Sequence, residues 1–176
     1  MAESGGKMDT TINEITSKTG KYLTFTLADE SYGIGILKIK EIIGMMPITS
    51  VPRTPDFVKG VINLRGKVIP IVDLRRKFGM EMIDYTDRTC IIVVEIEEAS
   101  ETVLIGIVVD AVSEVLNISE QEIESTPAFG VRLDTDYIMG MAKTEGGVKI
   151  LLNIDKVLST TEIAIIQKTQ KEKKNG

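Results

Sequence analysis

The sequence predicts a mainly β protein made of two small, related, barrel-like units with few and short helices. Short apolar or alternating runs recur along the chain, separated by turns bearing Gly or Pro. Helical periodicity is brief wherever it occurs, and the second half repeats the pattern of the first. Short strands punctuated in this way favour barrels over sandwiches or alternating α/β folds.

Residues 1–20 read as a polar tail. Leu23, Phe25 and Leu27 then alternate with Tyr22, Thr24 and Thr26, the period of a half-buried strand. Asp29-Glu30-Ser31 makes a turn, and Tyr32 to Ile36 returns as its partner. Ile36, Ile39, Ile42 and Ile43 fall on one face of about two helical turns. Pro47, Pro52 and Pro55 hold the next stretch extended. The runs Gly60 to Leu64 and Lys67 to Val72 join at Arg65-Gly66, where Gly66 supplies left-handed backbone. Pro70 marks an edge strand or a bulge. Asp73 to Phe78 forms a short helix closed by Gly79.

In the second half, Thr89 to Glu95 and Thr102 to Val109 form a long hairpin, with Glu95, Glu97, Glu98 and Glu101 as solvated charge at its tip. Ser119-Glu120-Gln121-Glu122 is a capping box before a brief helical turn. Tyr137 to Lys143 and Val148 to Ile154 make a last hairpin around Gly146-Gly147. Ser159-Thr160-Thr161-Glu162 is a second capping box, opening a C-terminal helix with Ile163 and Ile166 on its apolar face. Residues 167–176 read as a basic flexible tail with Lys168, Lys171, Lys173 and Lys174.

The repeat is explicit. Gly60, Gly66, Val68, Ile71, Val72, Asp73 and Leu74 match Gly140, Gly146, Val148, Leu151, Leu152, Asn153 and Ile154, each 80 positions on. Gly33, Ile34, Ile36, Ile39, Glu41, Ile42 and Ile43 match Gly106, Ile107, Val109, Val112, Glu114, Val115 and Leu116 at an offset of 73. The changed offset points away from a rigid solenoid. The expected units are intertwined, span about 21–85 and 86–154, and share a core, since each alone buries little surface.

A net charge of −5 and a pI near 4.9 argue against nucleic acid as the main partner. There is no histidine, which removes the usual general base, the Ser-His and Cys-His pairings and the commonest zinc ligand. Cys90 is the lone cysteine, expected mid-strand as a small buried apolar residue; with no disulfide framework and no signal-like segment, a cytoplasmic location is expected. The longest apolar run, Val103 to Val109, falls far short of the roughly 20 residues of a membrane span. Gly60 to Gly66-Lys67 has five residues between its glycines where a phosphate loop has four, and Val68 stands at the Ser/Thr position. Gly33-Ile34-Gly35 lacks the third glycine of a dinucleotide turn. No catalytic residue, metal or cofactor is expected. Two rival readings are weaker: a carboxylate hydrolase has no pair at a suitable spacing, and a single-strand-binding barrel lacks a basic groove with stacking aromatics.

The run Val51-Pro52-Arg53-Thr54-Pro55-Asp56-Phe57-Val58-Lys59-Gly60-Val61-Ile62-Asn63-Leu64-Arg65-Gly66, continuing through Val68-Ile69-Pro70-Ile71-Val72-Asp73-Leu74, resembles the signature of the CheW family. Tyr32-Gly33-Ile34 with Ile39-Lys40-Glu41-Ile42, and Gly106 to Asp110 with Val112 to Leu116, are similar to it as well. The resemblance runs from about residue 20 to residue 166. It implies two five-stranded SH3-like β-barrels side by side, with short helices and a C-terminal helix. It also implies a cytoplasmic adaptor at membrane-associated receptor arrays. Such an adaptor bridges the regulatory domain of the histidine kinase CheA and the cytoplasmic tips of methyl-accepting chemoreceptors, monomeric alone and forming rings in arrays. A coupling protein of a related twitching or gliding system fits the same residues. The resemblance assigns receptor binding to Leu23, Ile36, Ile39 and Ile42, with Glu41 and Arg65 at the polar margin, and kinase binding to Gly60, Gly106 and Val115. Isoleucines at that spacing also suit a core, and both glycines suit close backbone packing. A turn tip, in contrast, does not readily bury an arginine.

Overall fold

The computed structural model describes residues 20–98, 101–125, 137–159 and 162–168. The expected tails lie outside these, except for Gly20 in the first strand and Gln167 and Lys168 in the last helix. Eleven strands follow in order: β1 (Gly20–Leu27), β2 (Glu30–Gly35), β3 (Ile39–Gly44), β4 (Val58–Leu64), β5 (Lys67–Asp73), β6 (Cys90–Glu98), β7 (Glu101–Val109), β8 (Ala111–Ile118), β9 (Ile123–Glu124), β10 (Ile138–Thr144) and β11 (Gly147–Leu152). The helices are short: α1 (Leu74–Lys77), α2 (Ile154–Val157) and α3 (162–168), with 3-10 turns at Ile36–Lys38 and Glu120–Glu122. The class is mainly β, as expected.

Two sheets form, ordered β3-β6-β7-β5-β4 and β8-β1-β2-β11-β10-β9. The β1–β2 hairpin leaves its chain neighbours and joins the C-terminal strands, pairing antiparallel with β8 and parallel with β11. Each sheet therefore draws strands from both sides of residue 85. The repeat survives this exchange intact. Both hairpins, β4–β5 and β10–β11, carry a register shift at the same place, between Val58 and Gly60 and between Ile138 and Gly140. Both then pair in parallel through an apolar residue facing glycine, Ile71 with Gly106 and Leu151 with Gly33. Both end in a capped helical turn: Asp73 Oδ1 accepts from the Arg75 amide at 3.0 Å, and Asn153 Oδ1 from the Asp155 amide at 3.1 Å.

Glycine is required at these junctions. A β-carbon on Gly60, whose φ is +143°, would lie 2.0 Å from the Thr49 carbonyl oxygen, which closes the edge of β4 by bonding to Val61. One on Gly140 would lie 2.9 Å from the Glu124 oxygen of β9. One on Gly106 would meet Ile71 Cδ1 at 2.6 Å and Ile91 Cγ2 at 2.8 Å.

The largest apolar cluster lies between the sheets and draws on both, from Leu23, Phe25 and Leu27 of β1 to Ile92, Val94 and Ile96 of β6. This is the expected shared core. Opposite faces of the same strands line a second cluster (Ile62, Ile69, Ile71, Ile91, Val93, Val108) and a third (Tyr22, Ile118, Ala142, Leu151). β1 is thus buried on both faces rather than one, because Tyr22 and Thr24 point into its own sheet's interior. Phe25, Tyr32, Phe78 and Tyr137 stack in series, with centroid spacings of 5.8, 6.2 and 5.0 Å. α3 contributes Ile163 and Ile166 to the main core, with Glu162 paired to Lys77 at 2.8 Å and receiving the Ser159 amide, as the capping box predicts.

Three local readings are corrected. Ile36 to Ile43 is not a helix: after one 3-10 turn the chain becomes β3, where β-branched residues pack against β6. Pro70 sits on an interior strand, tolerated because the pairing of β5 with β7 begins only at Ile71. Cys90 opens β6 and is half-buried.

A polar clasp joins the sheets. Arg75 of α1 grips Asp110, between β7 and β8, through Nε at 2.8 Å and Nη2 at 2.6 Å, and Asp110 also accepts the Ala28 amide at 2.9 Å. Burial alone would raise the Asp110 carboxyl, but Arg75 and the Ala28 amide outweigh it and hold it below the usual carboxylate range.

Gly60→Ala, forced into left-handed backbone against a carbonyl, is expected to cost about 3 kcal/mol or more by denaturant titration, with any loss of binding following from unfolding. Arg75→Met is expected to cost about 1.5–3 kcal/mol. Because the folded pKa of Asp110 is depressed, its contribution is present above its unfolded value and lost as pH falls through the folded one; Asp110→Asn should flatten that acid limb in unfolding curves.

Candidate protein-docking site

Arg65 stands at the β4–β5 turn, with φ of 51° followed by 88° at Gly66, the primed geometry of a two-residue hairpin. The Gly66 amide donates to Asn63 Oδ1 at 2.8 Å and fixes the tip. From there Arg65 reaches across to Glu41 on edge strand β3 with both terminal nitrogens, Nη1 to Oε2 at 3.1 Å and Nη2 to Oε1. The Arg65 side chain remains 69% exposed. Its hydrogen bonds hold the Glu41 carboxyl below its ordinary range.

A groove of about 620 Å³ lies beside this pair, walled by Leu64, Ile69, Val93 and Leu104 and rimmed by Lys40, Lys67 and Glu95 as well. Lys40 pairs with Glu95 at 3.1 Å across its rim. The repeat builds this arrangement once. At an offset of 80, Leu64, Arg65 and Ile69 become Thr144, Glu145 and Lys149, and Glu114 matches Glu41, so no arginine stands at the equivalent turn.

The remaining receptor residues divide between two faces. A bulge at Lys40 lets Ile39 pair with Val94 and Ile42 with Ile92, which puts both on the face toward the main core, while Glu41 pairs with Val93 on the opposite face. Ile42 is 45% exposed; Ile36 and Ile39 are half-buried. Leu23 is buried in the main core and offers no surface. Of the kinase residues, Gly60 and Gly106 are buried structural positions, whereas Val115 is 47% exposed on edge strand β8, paired with Leu23. Val115 thus stands next to Leu23 across the β1–β8 pairing.

Leu37 was hidden from sequence reasoning. It is 94% exposed in the 3-10 turn between β2 and β3, and the helical periodicity of its neighbours placed it off the apolar face. A second depression, of about 590 Å³, is lined by Met45, Met46, Pro47, Ile48, Ser50, Lys59 and Tyr85. Burial and the Asp73 carboxylate push the Tyr85 hydroxyl well up, and it donates to Asp73 Oδ2 at 3.0 Å. Gly60 lies beneath this loop, against Ile48 and Thr49. Among the described residues no three His, Cys, Asp or Glu side chains stand close enough to hold a metal, and no helix is long and apolar enough to cross a membrane.

Residues 21–162 match the model of the CheW-like domain family. The chain is 40% identical to the Chemotaxis protein CheW of Klebsiella aerogenes over 163 residues, 92% of this chain and 96% of that one. It is 27% identical to Protein FrzA of Myxococcus xanthus over 142 residues, 80% and 86% of the two chains. Among solved structures, the scaffolding protein TtCheW from Thermoanaerobacter tengcongensis superposes with a TM-score of 0.71 at 36% identity, covering 82% of this chain and 95% of that one.

Replacing Arg65 with Ala should raise the Glu41 titration toward the ordinary carboxylate range, read by carbon-detected NMR. An unchanged titration would mean the pair is not populated in solution.

Proposed function

Because the chain belongs to the CheW-like domain family, we propose that it is a non-catalytic chemotaxis scaffold that couples receptor tips to the regulatory domain of the histidine kinase CheA. The observation that carries this reading is an exposed, bidentate Arg65–Glu41 pair on the same edge strand as the exposed Ile42, in a chain matched to the CheW-like domain family over residues 21–162. A helical tip docks through apolar anchors, here Ile42 with the half-buried Ile36 and Ile39, and the free face of Arg65 sets its register by meeting a carboxylate or carbonyl. Leu23 supports that surface from inside.

Val115 is the kinase-side contact in this proposal. Gly60 and Gly106 act on kinase coupling through the fold, Gly60 by seating the Met45–Ser50 loop. The absence of histidine from the sequence and the likeness to the scaffolding protein TtCheW support binding without turnover. The protein works in the cytoplasm at receptor arrays, where rings of such scaffolds assemble. The likeness to Protein FrzA supports a second reading, a coupling protein of a related receptor–kinase system such as twitching or gliding; co-purification of the native partners separates the two.

Arg65→Glu is expected to weaken receptor-tip binding by about tenfold while leaving the melting temperature and kinase-domain binding unchanged. Wild-type receptor-coupled kinase activity in this variant would show that the site is wrongly assigned.

A further inference from the structure

We infer that Leu37 is an apolar anchor of the receptor-facing surface and that Asp155 is the residue that positions it. The inference rests on the receptor reading proposed above. The other exposed large apolar side chains among the described residues lie between 39% and 52% exposed, whereas Leu37 stands at 94%. Scattered apolar exposure is ordinary on a protein surface. What sets Leu37 apart is that the turn holding it is pinned from several directions.

On one side Ile36 and Ile39 are half-buried, Ile39 against the main core. On the other, Lys38 Nζ lies 2.9 Å from Asp155 Oδ1 in the first turn of α2. The same oxygen accepts the Glu97 amide of β6 at 2.9 Å, and Asp155 is itself oriented by the Asn153 cap. The crossover turn, the β6–β7 hairpin and the C-terminal segment thus converge on one carboxylate oxygen.

The arrangement presents a leucine outward on backbone that does not have to be ordered at the moment of binding, which is where a docking anchor gains most. It also lies five residues before Ile42, in the turn that leads into edge strand β3, so that a helical partner laid along that edge meets Leu37 and Ile42 in turn. No folding role competes, since so exposed a side chain contributes little to stability.

The test uses the full chain, a receptor-tip fragment and the kinase regulatory domain in separate titrations. Leu37→Ala is expected to weaken receptor-tip binding by about tenfold, with melting temperature and kinase-domain affinity unchanged. Asp155→Asn keeps an oxygen for the Glu97 amide but removes the charge that holds Lys38. It should weaken the same binding by about threefold and speed amide exchange at residues 36–39, and Lys38→Met, which removes the other end of the pair, should do the same with no further loss when the two are combined. Wild-type receptor affinity in Leu37→Ala, or wild-type receptor affinity and amide exchange in Asp155→Asn, overturns the inference. Arg65→Glu run in parallel separates the two levels: if it too binds normally, the receptor site itself is misplaced; if it alone loses binding, only the role of Leu37 falls.

Discussion

Both sheets depend on backbone approaching backbone where a β-carbon would stand. At Gly60 the Thr49 carbonyl occupies that space outright, and at Gly140 the Glu124 carbonyl comes nearly as close. The second pair of glycines, Gly106 and Gly33, lets β7 and β2 receive Ile71 and Leu151 across the parallel junctions. With those contacts in place, each strand turns one face to its own sheet's interior and the other to the shared core. That explains why so many runs read as continuously apolar rather than alternating.

The repeated architecture carries chemistry unequally. Both units use the same register shift, the same capped turn after the second strand of the hairpin and the same parallel junction. Only the first places an arginine at the hairpin tip opposite a glutamate, and keeps Leu64 and Ile69 where the second has Thr144 and Lys149. In the second unit Thr24 instead bonds the Glu114 backbone at 2.8 Å and ties β8 to β1 with an internal polar contact. One copy holds its glutamate with an arginine at the hairpin tip, and the other ties the matching strand to β1 through its backbone.

Much of this was legible in the sequence. The hairpins around Arg65-Gly66 and Gly146-Gly147, both capping boxes, the Asp73 helix and the repeat all rest on local rules of turns and caps, and those local rules hold. What failed was set by distant partners. Isoleucines at helical spacing became an edge strand because β6 lay alongside, and the bulge at Lys40 sent Glu41 and Ile42 to opposite faces. Arg65 was readable as exposed because turn tips face water, but Leu37 was not, since its exposure follows from a crossover between sheets. Nor could a sequence show that Val115 would lie beside Leu23, because the exchange of the β1–β2 hairpin brings them together.

That exchange imposes an order on folding. The strands of the sheet carrying Arg65 lie within residues 39–109, so it has all its members once β7 has been synthesised. The β1–β2 hairpin, made first, must wait for β8 and β11, pairing Ser31 with Lys149, and such distant pairings form slowly. In a growing chain the apolar face of β6 and β7 therefore lacks much of its cover until the C-terminal strands arrive. Asp155 follows later still, so the turn that displays Leu37 is locked only after β11 and α2 have been made.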